Sequence, residues 1–147
     1  MTRLLLCLVA VAACGGERVR PAPLEPTEGS LRATITAPTA NDTVGPGTTV
    51  SVTVAGQDPA LRSLVGLGLV VRRIDGARSD LLDSAVIRFQ ARETHNATFD
   101  YQIPATLPFG AIVNVYGVAL GSSQRSHESA PRSFFVQDCA LPGTSCP

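Results

Sequence analysis

Two histidines, four cysteines and twelve carboxylates are the side chains of this chain best suited to chemistry. A histidine acts as a general base or metal ligand only with a partner within reach. His95 and His127 have none at useful spacing, and there is no HExxH pair. Both are expected to be solvated, His95 before a strand and His127 in a polar turn. Serines are plentiful, but none sits in a G-x-S-x-G elbow. Gly66-Leu67-Gly68 lacks the third glycine of a dinucleotide loop. Gly45-Pro46-Gly47-Thr48 lacks the lysine of a phosphate loop. No catalytic residue, metal site or cofactor is expected, and the chain reads as a non-enzyme. A hydrolase using His95 or His127 is the remote alternative.

The acids are scattered over Asp42, Asp58, Asp75, Asp80, Asp83 and Asp100. Calcium takes six to eight oxygens. Asp42 and Asp58 fall in successive loops at opposite ends of one strand. Asp80 and Asp83 are near enough to share an ion, but no D-x-D-x-D spacing exists. Turn and cap chemistry is the expected role of all six. Twelve basic residues, all arginine, balance the twelve acids. That balance argues against nucleic acid as a partner, which would call for a basic excess. Hydrophobic residues make up 44% of the chain, too many for general disorder. No apolar run reaches about 18 residues, so no transmembrane helix is expected.

The sulfurs point to a compartment. Met1-Thr2-Arg3 is a short positive leader, and Leu4 to Ala13 (LLLCLVAVAA) is a ten-residue apolar stretch. Small residues follow, as in a cleavable export signal. Val11-Ala12-Ala13-Cys14 resembles the lipobox of bacterial lipoproteins. The resemblance implies a signal peptide over 1–13 and a diacylglyceryl thioether on Cys14. Two or three acyl chains hold a protein stably on a membrane, at about 0.8 kcal/mol per buried methylene. Gly15 stands where Asp often marks inner-membrane retention, so the resemblance also implies the outer membrane. Ordinary cleavage and release is the alternative. Cys7 leaves with the signal and Cys14 takes lipid, so Cys139 and Cys146 remain as a pair in an oxidising compartment. They bracket ALPGTS, whose Pro-Gly suits a turn. A disulfide between them would close a small loop in a C-terminal tail over 139–147.

Residues 14–29 carry three prolines and three glycines and read as an extended tether. From Leu31 the apolar period becomes two. Leu31, Ala33 and Ile35 alternate with polar residues up to Pro38, and Val50, Val52 and Val54 follow the turn material of 41–47. Leu67, Leu69 and Val71 lead to the Asp75-Gly76 turn. A short strand is expected over 85–91, then one around Phe99, Tyr101 and Ile103. A β-rich run follows over 111–120, and a last strand over 132–137. About seven strands over 30–138, with turns between them, make an all-β, two-sheet sandwich.

Two segments carry a family resemblance. ITAPTANDTVGPGTTVSVTVAGQD, residues 35–58, looks like the start of bacterial immunoglobulin-like domains. IPATLPFGAIVNVYGVALGSSQRSHES, residues 103–129, is similar to their sixth strand and final hairpin. The resemblance implies an immunoglobulin-like sandwich used for adhesion, spacing or carbohydrate association. The core tryptophan and inter-sheet disulfide of antibody domains are missing: there is no Trp, and neither late cysteine lies in a core strand.

One sheet face is the candidate binding surface. With Leu67, Leu69 and Val71 inward, Gly66 and Gly68 face out. With Val115, Gly117 and Ala119 inward, Tyr116 faces out and lies across Gly68. One of Phe134 and Phe135 must also face out, and Phe134 is assigned there. Arg72 and Arg132 rim the patch. Such a surface suits a protein or a glycan. Aromatic cover over weak glycine positions is the purely structural reading. The expected role is a non-catalytic binding or spacer module of the cell envelope, anchored by lipid. The alternatives are a subunit of an envelope or surface assembly, joined through an exposed strand edge, and a carbohydrate-binding accessory protein.

Overall fold

A computed structural model describes residues 30–138. Nine strands run through them: β1 Arg32–Ala37, β2 Asp42–Val44, β3 Thr49–Gln57, β4 Leu64–Asp75, β5 Arg78–Arg92, β6 Thr94–Gln102, β7 Ile112–Gly121, β8 Ser126–Glu128 and β9 Arg132–Val136. They form two sheets. One has the order β1-β3-β6; the other has the order β2-β9-β7-β4-β5, with β8 beside β7. Leaving out the short β2 and β8, the orders match the A-B-E and G-F-C-C′ sheets of the immunoglobulin sandwich. The chain between 30 and 138 is an all-β, immunoglobulin-like domain.

Alternation produces the strands that were legible. In β7, Val113, Val115, Gly117 and Ala119 are buried while Ile112, Asn114, Tyr116 and Val118 stand half-exposed. Val52 and Val54 of β3 share one buried core with Leu67 and Val71 of β4, Val115 of β7 and Phe134 of β9. β2 and β8 were not legible. The three residues of β2 lie in the 41–47 stretch expected as turn; they pair in parallel with Phe134–Val136. Strands that short carry no period to detect, and here a tertiary neighbour makes them. β5 is fifteen residues long rather than a short strand over 85–91. Most of it is exposed, and a strand wet on both faces has no reason to alternate.

Gly117 marks a close approach of the two sheets. A Cβ there would lie 2.7 Å from Cγ1 of Val54 and 3.5 Å from Ile35. Val54 is β-branched and stiff at χ1, so it cannot swing away. Gly56 also lacks room, but its nearest neighbours are the terminal methyls of Leu67 and Leu64. Gly117→Ala should therefore destabilise the domain by about 1–3 kcal/mol, and Gly56→Ala by less. Urea midpoints at constant slope measure both; the reverse order would place the tightest contact elsewhere.

Candidate functional site

The outer face of the larger sheet is set by register. β4 pairs with β7 as Gly66↔Leu120, Gly68↔Val118, Val70↔Tyr116 and Ile74↔Ile112. Gly66, Gly68 and Tyr116 share the outward face as expected, but Tyr116 lies opposite Val70 and not Gly68. Neither glycine is open ground: both are buried, and a Cβ on Gly68 would meet the Ala85 carbonyl at 2.9 Å. Tyr116 is covered on one side by Arg72, whose guanidinium carbon lies 5.0 Å from the ring centroid. The Asn114 side-chain amide donates to the Tyr116 hydroxyl at 3.4 Å.

The outward placement of Phe134 is corrected. Phe134 is 1% exposed and sits in the core, while Phe135 is 40% exposed on the outer face. The cause is the register with β7: Val113↔Phe134 and Ile112↔Phe135, with Val113 pointing inward. Two adjacent phenylalanines look alike in a sequence, and only the pairing partner chooses between them. Arg132 is corrected with it. It pairs with Val115 on the inner side of β9 and lines a cleft with Ala33, Ile35 and Ser129, so it does not rim the outer face. Phe135, Ile112 and Ile74 instead form a row across three adjacent strands. Leu81, 64% exposed, sits diagonally from Ile74 through its pairing with Arg72. Phe109, 62% exposed, lies in the loop at the same end of the sandwich.

At the opposite end sits a residue that the sequence disguised as a loop acid. Asp58 is fully buried. Ser30 donates to its Oδ1 at 2.5 Å; Ser63 donates to Oδ2 at 2.5 Å and Arg125 to Oδ2 at 2.8 Å. Burial alone would push this carboxyl up. The hydrogen bonds from Ser30, Ser63 and Arg125, with the Arg125 charge, outweigh burial and hold it at about 2 instead of 3.8. Only Ser63 is close in sequence. Ser30 and Arg125 come from distant segments, so no local pattern pointed to the cluster.

The histidines are structural. His127 lies in β8, and its Nδ1 accepts the backbone N–H of Ala33 at 3.1 Å. Ser126 and His127 line one cleft of about 280 Å³ with Leu31 and Arg125, but as strand neighbours they point to opposite faces. His95 lies inside β6 rather than before a strand, and its ring packs on Phe89 with centroids 4.3 Å apart. It is half-buried, not simply solvated. Tyr101 is buried, and its hydroxyl finds no hydrogen-bond partner among the described residues. Burial, then the charge of Asp83, pushes its phenol up. Among the described residues no three His, Cys, Asp or Glu side chains converge as a metal site. Cys14, Cys139 and Cys146, with the leader, tether and tail, lie outside the described residues.

No protein-family model matches this chain, and no curated protein matches it. Solved structures do. The chain is similar to the sporulation control protein Spo0M of Bacillus subtilis, at 17% identity and a TM-score of 0.48, over 74% of this chain and 49% of that one. It thus spans about half of that protein's length. It is also similar to fibronectin(III)-like modules of Clostridium thermocellum CbhA, at 19% identity and a TM-score of 0.44, over 75% of this chain and all of that one. A third is the sixth cohesin of Acetivibrio cellulolyticus scaffoldin B, at 9% identity and a TM-score of 0.39, over 74% and 99%. Likeness at these identities says nothing of ligand or activity.

The Asp58 cluster makes a direct prediction. Asp58→Ala should destabilise the domain by about 2–3 kcal/mol, because two hydroxyls and a guanidinium lose their shared acceptor. A carboxyl held lower in the folded than in the unfolded chain stabilises above its unfolded value. That stability is lost as pH falls from about 4 through about 2. Urea midpoints at about pH 5 and pH 2.5 should therefore separate in the parent more than in Asp58→Asn. Equal separation in both would remove the acid dependence from Asp58.

Proposed function

We propose that this chain is a lipid-anchored, non-catalytic immunoglobulin-like module of the bacterial cell envelope that presents one end of its sandwich to a partner. The anchor is Cys14, at the outer membrane by the Gly15 reading, and residues 15–29 are the tether. One observation carries the presenting role. The chain enters the domain at Ser30, beside Asp58, whereas the apolar row of Phe135, Ile112 and Ile74 lies at the other end of the strands. From Leu64 to Ile74 along β4 is about 30 Å at ~3.3 Å per residue. A domain tethered at Ser30 therefore holds its outward apolar row away from the membrane. Solvent-facing apolar residues gathered in one row suit protein contact more than scattered ones do. A subunit of an envelope assembly is the second reading, favoured by the long unshielded edge of β5.

Two experiments test this. Cys14→Ser should move the protein from the membrane fraction to the soluble fraction, and mass spectrometry of the parent should find a diacylglyceryl thioether on that sulfur. Persistent membrane association of the variant would refute the anchor. Pull-down from solubilised membranes should recover a stoichiometric protein with the parent and lose it with the double variant Phe135→Ser, Ile74→Ser. Recovery unchanged by the double variant would remove the row from the interface, and retention on a glycan array would replace the protein partner with a carbohydrate.

A further inference from the structure

The sandwich has four sheet edges among the described residues, and they are not alike. β2 offers only three residues. β1 is partly covered by β8, with the Ala33 N–H taken by His127. β6 exposes Thr94, Asn96, Thr98, Asp100 and Gln102, all polar. β5 is the exception. It is fifteen residues long, pairs with β4 along one side, and contains neither proline nor lysine. Long edges are templates for another strand, and the charges and register shifts that guard this one lie at and beyond the two ends of its regular central run. Two register shifts flank the regular run Asp83–Arg88, which pairs with β4 residue for residue. Its centre, Ser84-Ala85-Val86-Ile87, carries no charge. Val86 is 53% exposed on the outer face and Ile87 41% exposed on the inner one. Ile87 remains wet because three strands do not reach across the larger sheet to cover it.

Charge says which strand fits. The half of β5 before this centre carries Arg78, Asp80 and Asp83; the half after it carries Arg88 and Arg92. An antiparallel copy of the same strand brings the acid-bearing half against the purely basic one. A parallel copy would stack like on like. With Val86 opposite Val86, Asp80 comes opposite Arg92, and both belong to the inner face, through Arg73 and Leu64 of β4. Ser84 comes opposite Arg88 on the outer face.

We propose that β5 pairs antiparallel with β5 of a second copy of this chain, about a two-fold axis through Val86, joining the two larger sheets into one. The contact is isologous, so it closes at two copies. One pair of strand edges buries less than the roughly 1,200–2,000 Å² of a standard stable interface, so the dimer is weak and depends on concentration. Pairing through β5 is independent of the anchor proposed above.

Sedimentation equilibrium of the full chain carrying Cys14→Ser, under reducing conditions that exclude disulfide-linked dimers, tests the pairing. The expected result is a concentration-dependent monomer–dimer equilibrium. Val86→Lys and Val86→Glu should each weaken it about tenfold or more, because each puts like charges face to face at the axis. An equimolar mixture of the two should recover association, because the charges then oppose. Val86 is exposed, so both variants should keep the β-sheet circular dichroism of the parent. Hydrogen exchange of the parent provides a second readout: amides of 83–88 should gain protection as concentration rises. A chain that stays monomeric without that gain, a dimer indifferent to both substitutions, or a mixture that fails to recover would each overturn the proposal. Loss of Cys14 lipidation would leave it untouched.

Discussion

Three strands set about 4.8 Å apart cannot cover the inner face of a sheet nearly twice as wide. The β1-β3-β6 sheet roofs the middle of the larger sheet and leaves most of β5 uncovered, with only Leu82 and Phe89 partly buried against the core. Core formation is therefore confined to a belt: Val52 and Val54 above, Leu67, Val71, Val113, Val115 and Phe134 below. Gly117, with no side chain, lets Val54 of the facing layer pack directly against β7 within that belt. Outside it, apolar side chains such as Ile87, Val86 and Leu81 remain in contact with water although they sit in regular strand. Ile87, on the inner face, is exposed because the sheets are unequal in width; Val86 and Leu81 face outward, where no second sheet lies.

The same inequality governs what could be read in advance. A period of two appears only where one face is dry and the other wet. β1, β3 and β6 meet that condition, and their alternation is plain in the sequence; β7 meets it too, but both of its parities are partly apolar and it reads only as a β-rich run. β5 fails it, so half its length went unseen. The parity of Gly66 and Gly68 was legible because Leu67, Leu69 and Val71 fix it locally, and that of Tyr116 followed from taking Val115, Gly117 and Ala119 inward. The register that puts Tyr116 opposite Val70 was not, since it is set by pairing between strands far apart in the chain. Phe134 and Phe135 show the limit most clearly: identical neighbours carry no parity, and β7 alone decides that Phe134 is core.

Asp58 was illegible for a different reason. A buried carboxylate is tolerated only when several donors converge on it. Here they come from the start of the domain, from the turn before β4 and from the hairpin after β7. Aspartate in a loop has the same sequence signature whether it caps a turn in water or ties three segments together in the dry. The cluster lies where the chain upstream of Ser30 joins the domain, so any pull along that chain enters at a point cross-linked by hydrogen bonds to β3, β4 and the β7–β8 turn. A stiff attachment point suits a tethered module, because load is shared among strands before β1 can peel from β3.

The free edge and the apolar row are neighbouring parts of one surface. Val86 and Leu81 lie on the outer face of β5, and Leu81 adjoins the row formed by Ile74, Ile112 and Phe135. Antiparallel pairing at β5 continues the pleat, so outward residues of one copy remain outward beside those of the other. The two-fold axis then carries one outer face into the next and sets two apolar rows on one extended sheet, at its opposite ends because the paired strands run antiparallel. Binding module and assembly subunit are thus not opposed descriptions of this fold. A partner that touches both rows gains the avidity of two weak contacts at fixed spacing, and its binding in turn holds the β5 edges together.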